Sequence, residues 1–129
     1  MNHILVVDDD PAIRDVVADI LEMANYRVQT AGNGAEALDH IHSEQPSVVL
    51  LDLMMPVMDG WEFLRKCRSE PPCAPVPVVI MSAARNASGL AAELGAQAFL
   101  GKPFEMDAVL AIVESLATTT AHDGCGMST

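Results

Sequence analysis

Short apolar runs alternate along this chain with stretches whose apolar residues recur at helical spacing, and the alternation predicts its elements. His3–Val7 reads as a first strand. Asp10-Pro11 follows as an N-cap with proline at the first helical position. The helix it opens places Ile13, Val16, Val17, Ile20, Leu21 and Ala24 on one face. Tyr26–Ala31 alternates polar and apolar positions and reads as a second strand. Asn33 and Glu36 have capping-box spacing ahead of a helix that presents Ala37, Leu38 and Ile41. Val48–Leu51, bounded by Pro46 and Pro56, reads as a short strand buried on both faces. A helix around Trp61–Arg68 then offers Leu64 and Cys67 to the core. Val76–Met81 is another buried strand, and a short Ala-rich helix over Ala87–Leu94 ends at Gly95, a natural C′ residue. Gln97–Leu100 is the last strand, before a final helix carrying Val109, Ile112, Val113 and Leu116.

Strand and helix in strict alternation is the signature of parallel βαβ units. Right-handed crossovers then favour an α/β fold with a doubly wound, five-stranded parallel sheet. The flavodoxin-like (βα)5 arrangement, with strand order 2-1-3-4-5, is the expected topology. Residues 1–116 form one domain. Glu70–Pro77 holds four prolines and reads as a surface loop. Residues 117–129 are small, polar and aperiodic, and are expected to be a disordered tail.

Composition narrows the function classes. The chain has 129 residues, 50% of them hydrophobic, enough to bury a real core. Its formal net charge is −11, from 18 acidic residues against 7 Lys and Arg. That balance argues against nucleic-acid phosphates and against an anionic membrane surface as partners. The cysteines Cys67, Cys73 and Cys125 show no metal-ligand spacing and no disulfide framework, so reduced thiols are expected. Asp8, Asp9 and Asp10 interrupt the first apolar run, so it is no signal peptide, and no stretch reaches membrane-spanning length. A cytoplasmic location is expected.

The candidate chemistry lies at the carboxyl ends of the expected strands, where open α/β sheets collect ligands. Asp52 ends the third strand, and an acidic residue there is costly without a cation or a donor. Asp8 and Asp9 end the first, which the expected order places beside the third. Three crowded carboxylates repel one another unless they share a hard cation, and Mg²⁺ suits oxygen ligands. Ser82 ends the fourth strand and Lys102 follows the fifth. Alone they are a turn hydroxyl and a solvated lysine. Facing a carboxylate and Mg²⁺, they would supply a donor and a positive charge for an incoming phosphoryl group, with Asp52 as nucleophile.

Four segments together carry a family resemblance: Ile4-Leu5-Val6-Val7-Asp8-Asp9-Asp10, Leu51-Asp52-Leu53-Met54-Met55-Pro56-Val57-Met58-Asp59-Gly60, Met81-Ser82-Ala83 and Lys102-Pro103-Phe104. The chain resembles a response-regulator receiver domain of the chemotaxis (CheY-like) type over residues 1–116. The resemblance implies that Asp52 accepts phosphate from a phosphohistidine on a histidine kinase or phosphotransfer protein. It implies that Asp9 and Asp52 bind Mg²⁺ directly, that Asp8 acts mainly through water, and that the Met54 backbone carbonyl is a further ligand. Ser82 and Lys102 would contact the phosphoryl group, Phe99 would be the switch aromatic, and the Lys102-Pro103 bond would be cis. Met54 and Ala84 fall where the family can carry polar side chains that influence attacking water. Both are apolar here, which predicts slow spontaneous dephosphorylation.

Three functions compete on this evidence. The first is a stand-alone, monomeric receiver, not an enzyme in the turnover sense. In it Ser82 moves inward on phosphorylation, Phe99 repacks, and the face built from the 86–94 helix, the last strand and the last helix changes partner. Its downstream partner is unidentified, with neither nucleic acid nor membrane insertion expected. The second is a phosphatase of the haloacid-dehalogenase type, which also uses a strand-end Asp but typically places a second Asp two residues later, where this chain has Met54. The third is a receiver detached from an effector, which a chain ending at Thr129 leaves without output machinery.

Overall fold

The computed structural model describes residues 3–52, 60–69, 76–82, 96, 98–101 and 105–125, with 60–61, 82 and 117–125 by backbone alone. Five parallel strands form one sheet: β1 (His3–Val7), β2 (Arg27–Ala31), β3 (Val48–Asp52), β4 (Val78–Ser82) and β5 (Ala98–Gly101). Their order is β2-β1-β3-β4-β5, as expected from the alternation of elements. Between them run α1 (Pro11–Met23), α2 (Gly34–Ser43) and α3 (Gly60–Ser69), and the last helix spans Met106–Cys125.

Strand parity divides the core into two layers. Leu5, Val7, Val49, Leu51, Val78 and Ile80 point to one face, where Ala37, Leu38 and Ile41 of α2 and Phe63, Leu64 and Cys67 of α3 cover them. Ile4, Val6, Val48, Leu50, Val79 and Met81 point to the other, under Val17 and Leu21 of α1 and Val109 and Val113 of the last helix. Burial on both faces is why β1, β3 and β4 read as unbroken apolar runs. β2 is an edge strand and is correspondingly less buried, with Arg27 exposed, Val28, Gln29 and Thr30 half-buried and only Ala31 fully enclosed.

The ends of α1 and α2 are set by local chemistry. Asp10 caps α1 by accepting from the Ala12 N–H at 3.0 Å, with Pro11 at the first helical position. Its other end is a Schellman turn: Asn25 N–H donates to Glu22 O and Tyr26 N–H to Leu21 O. Asn25 takes the left-handed conformation that this turn requires, with φ 73°. Asn33 caps α2 through the Glu36 N–H at 2.9 Å, while Glu36 reaches back to the Gly32 N–H, one residue beyond the cap itself.

Two expectations change. The last helix continues to Cys125 instead of giving way to an irregular tail at Ala117. Residues 117–125 contain no proline, and adding a turn to an existing helix is cheap beside starting one. Cys67 is disulfide-bonded, which corrects the expectation of reduced thiols. On the same helix Arg68 donates from Nη1 to Val76 O at 3.0 Å, tying the end of α3 to the entry of β4. The expected 87–94 helix and nearly all of the proline-rich loop lie outside the described residues.

Candidate functional site

The site is built where the chain changes winding direction, between β1 and β3. The β1–β3 register pairs Val7 with Leu51, so Asp8 and Asp52 leave the sheet side by side. β3 is one residue longer than expected because Asp52 still pairs with Met81 of β4. Both carboxylates are enclosed, Asp8 at 0% and Asp52 at 5% relative exposure, whereas Asp9 is exposed.

One carboxylate oxygen from each of Asp8, Asp9 and Asp52 lies within 4.8 Å of the others. At that separation, and at an effective dielectric of about 20, each pair of full charges repels by about 3–4 kcal/mol. A triad of that kind, two members of it buried, is a poor arrangement for bare carboxylates and a good one for a small oxygen-seeking dication. The donor set therefore fits Mg²⁺. A bound Mg²⁺ would offset two of the triad's three negative charges and draw phosphoryl oxygens toward Asp52.

The turn that carries Asp8 and Asp9 is held by hydrogen bonds from several directions. Asp8 N–H donates to Ala31 O at 3.1 Å, coupling the turn to the end of β2. Asp8 Oδ1 accepts from the Asp10 N–H at 2.9 Å, and Asp8 O accepts from Arg14 Nη1 at 3.1 Å. Asp10 thus serves as the helix cap and leaves the converging carboxylates to Asp8 and Asp9.

The remaining site residues are placed only in part. Ser82 ends β4 and pairs with Gly101 at the end of β5, so its backbone reaches the same edge of the sheet as Asp52. Phe99 is half-buried on β5, paired with Ile80 and packed against the α2–α3 core layer. Met54, Ala84 and Lys102-Pro103 lie outside the described residues. Arg14 and Gly32 were not foreseen: an arginine in the first turns of a helix and a glycine after a strand carry no signal on their own.

Among the described residues no helix is long and apolar enough to cross a membrane. A family model described as "Response regulator receiver domain" matches residues 4–114. The chain is 41% identical over 129 residues to response regulator MprA of Mycolicibacterium vanbaalenii, covering 98% of this chain and 55% of that protein. It is 37% identical over 122 residues to the DNA-binding dual master transcriptional regulator RpaA of Synechocystis, covering 93% of this chain and 51% of that protein. The chain spans about half the length of these curated relatives. Among solved structures it is similar to chemotaxis protein CheY4 of Vibrio cholerae, with TM-score 0.83 and 30% identity over 90% of this chain and 98% of that one.

Proposed function

The chain belongs to the response-regulator receiver family, and on that premise we propose that it is a signalling module switched by phosphorylation of Asp52. The observation that carries the proposal is the buried Asp52 carboxylate converging with Asp8 and Asp9 at the switch point of the sheet. In the reaction an Asp52 carboxylate oxygen attacks the phosphorus of a phosphohistidine. The phosphorus–nitrogen bond breaks and its electron pair stays on the imidazole, which takes up a proton as it leaves. The product is an acyl phosphate on Asp52. Asp8 and Asp9, with Asp52 and the Met54 carbonyl, would hold the Mg²⁺. Ser82 and Lys102 would contact the phosphoryl oxygens, Ser82 moving toward them and Phe99 repacking behind it.

The phosphodonor is a histidine kinase or a phosphotransfer protein, and the chain acts in the cytoplasm, as a monomer, without nucleic-acid contact of its own. A net charge of −11 supports the last point. It is a switch and not a turnover catalyst: Met54 stands where a phosphatase of the haloacid-dehalogenase type would carry its second Asp. Action without an effector domain is supported by the likeness to CheY4, whose chain is matched over 98% of its length. Coverage of only 55% of MprA and 51% of RpaA favours a second reading, in which output passes to an attached DNA-binding domain.

The test is a phosphotransfer profile against the histidine kinases of the source organism, run beside a phosphatase assay on small phosphomonoesters. Rapid transfer from one kinase, lost in Asp52→Asn, with negligible phosphomonoester hydrolysis, is expected. Steady phosphate release from phosphomonoesters would overturn the proposal. Gel-shift assays with the complete gene product separate the two output readings.

A further inference from the structure

We infer that Arg14 is a positioning residue for the metal triad: its guanidinium fixes the β1–α1 turn so that Asp8 and Asp9 converge on Asp52, and the bare Cα of Gly32 provides the room it occupies. The inference deepens the proposed function and rests on it.

Two observations carry it. Arg14 Nη1 donates to the backbone carbonyl of Asp8 at 3.1 Å, a bond between the fourth residue of α1 and the residue that leads out of β1. The main chain of Asp8 is thereby held on both sides, its N–H by Ala31 O and its C=O by Arg14, while Oδ1 is held by the Asp10 N–H. Second, a Cβ placed on Gly32 would lie 3.2 Å from Arg14 Nη1, closer than side chains ordinarily pack. Gly32 follows β2, so the arginine is wedged between the turns that end β1 and β2.

Groups that orient metal ligands without touching the metal commonly change affinity by about tenfold or more when removed. Positioning and simple charge predict opposite signs here. If Arg14 acted only as a nearby positive charge, its loss would tighten Mg²⁺ binding. If it holds the turn, its loss loosens the triad and weakens binding.

The experiment is a calorimetric Mg²⁺ titration of the full chain and of Arg14→Met, Arg14→Lys, Gly32→Ala and the Arg14→Met/Gly32→Ala pair, each with a melting curve in EDTA. Mg²⁺ affinity is expected to fall by about tenfold in Arg14→Met. It should fall also in Arg14→Lys, which keeps the charge and loses the planar fork. Gly32→Ala should fall in the same direction because it displaces the guanidinium, and adding it to Arg14→Met should change nothing further. Phosphorylation by a small-molecule phosphodonor should be slowed at low Mg²⁺ and restored at saturating Mg²⁺. Tighter Mg²⁺ binding by Arg14→Met, or wild-type affinity in the variants with only a lowered melting midpoint, would overturn the inference. Should Arg14→Met fail to fold, Gly32→Ala decides alone, and wild-type affinity there would overturn it. No Mg²⁺ binding by the unsubstituted chain would sink the proposed function as well, whereas normal binding with unaltered variants sinks the role of Arg14 only.

Discussion

Asp8 and Asp52 stand side by side at the carboxyl edge of the sheet because the β1–β3 register pairs Val7 with Leu51. Both are buried, and with Asp9 they bring three carboxylate oxygens within 4.8 Å of one another. Three full negative charges at that separation repel one another.

Asp52→Asn removes one charge from that cluster. In EDTA its melting midpoint is expected to rise by about 3–5 °C, which corresponds to about 1 kcal/mol for a chain of this size. In saturating Mg²⁺ the order should reverse, because ligand binding to the native state stabilises the wild type more. Thermal melts in the two buffers check this, and a lower midpoint for the variant in EDTA would count against a repulsive triad.

Most of the architecture was legible because buried parallel strands announce themselves as apolar runs. His3–Val7 matches its expected bounds, and the other strands differ at their ends by one or two residues. Asp52 illustrates why: its polar side chain suggested the end of the strand, while its backbone remains in the ladder with Met81. Asp8, Asp9 and Asp52 were legible as a site because the expected strand order brought their strand ends together. Arg14 and Gly32 were not, since their relation exists only once the β1 and β2 turns are adjacent in space. The helix beyond Leu116 and the bond at Cys67 escaped for similar reasons: neither depends on hydrophobic periodicity, and the cysteine spacing fits no familiar framework.

At the opposite edge of the sheet, Arg27 donates to both carboxylate oxygens of Glu44 at 2.9 Å. Its hydrogen bonds hold the Glu44 carboxyl below its ordinary range, with smaller contributions from the charges of Arg27, of His3 and of the N-terminus. A depressed carboxylate stabilises the fold above its unfolded pKa and loses that contribution as pH falls through the folded one. Glu44→Gln should therefore lower the melting midpoint slightly at neutral pH, with the gap to wild type closing on acidification below the ordinary carboxylate range. The pair is exposed, so the gap is expected to be small and to shrink in high salt. Melting curves across a pH series check this, and a gap that widens toward acid would contradict it.

The bond at Cys67 predicts a thiol count. Purified without reductant, the protein should show one titratable thiol of its three cysteines after denaturation, and three after reduction. Three thiols before reduction would mean that the bond does not form under those conditions. Because Cys67 is fully buried between α3 and the sheet, Cys67→Ser should also cost stability through a buried hydroxyl, read as a lower urea midpoint.

Met54, two residues after Asp52, and Ala84, two after Ser82, are apolar. Spontaneous loss of the phosphoryl group is expected to be slow, and Met54→Asn should shorten the lifetime of the phosphorylated form. A time course of dephosphorylation after removal of the phosphodonor gives the comparison. An unchanged or longer lifetime in the variant would remove Met54 from the control of water attack.

The most direct measurement is intact and peptide mass spectrometry after incubation with a small-molecule phosphodonor, with and without Mg²⁺. The expected result is a single phosphoryl group per chain, mapped to Asp52, dependent on Mg²⁺ and absent from Asp52→Asn. A chain that gains no phosphoryl group in Mg²⁺, or gains it at another residue with Asp52 unmodified, would contradict the assignment of Asp52 as the phosphoacceptor.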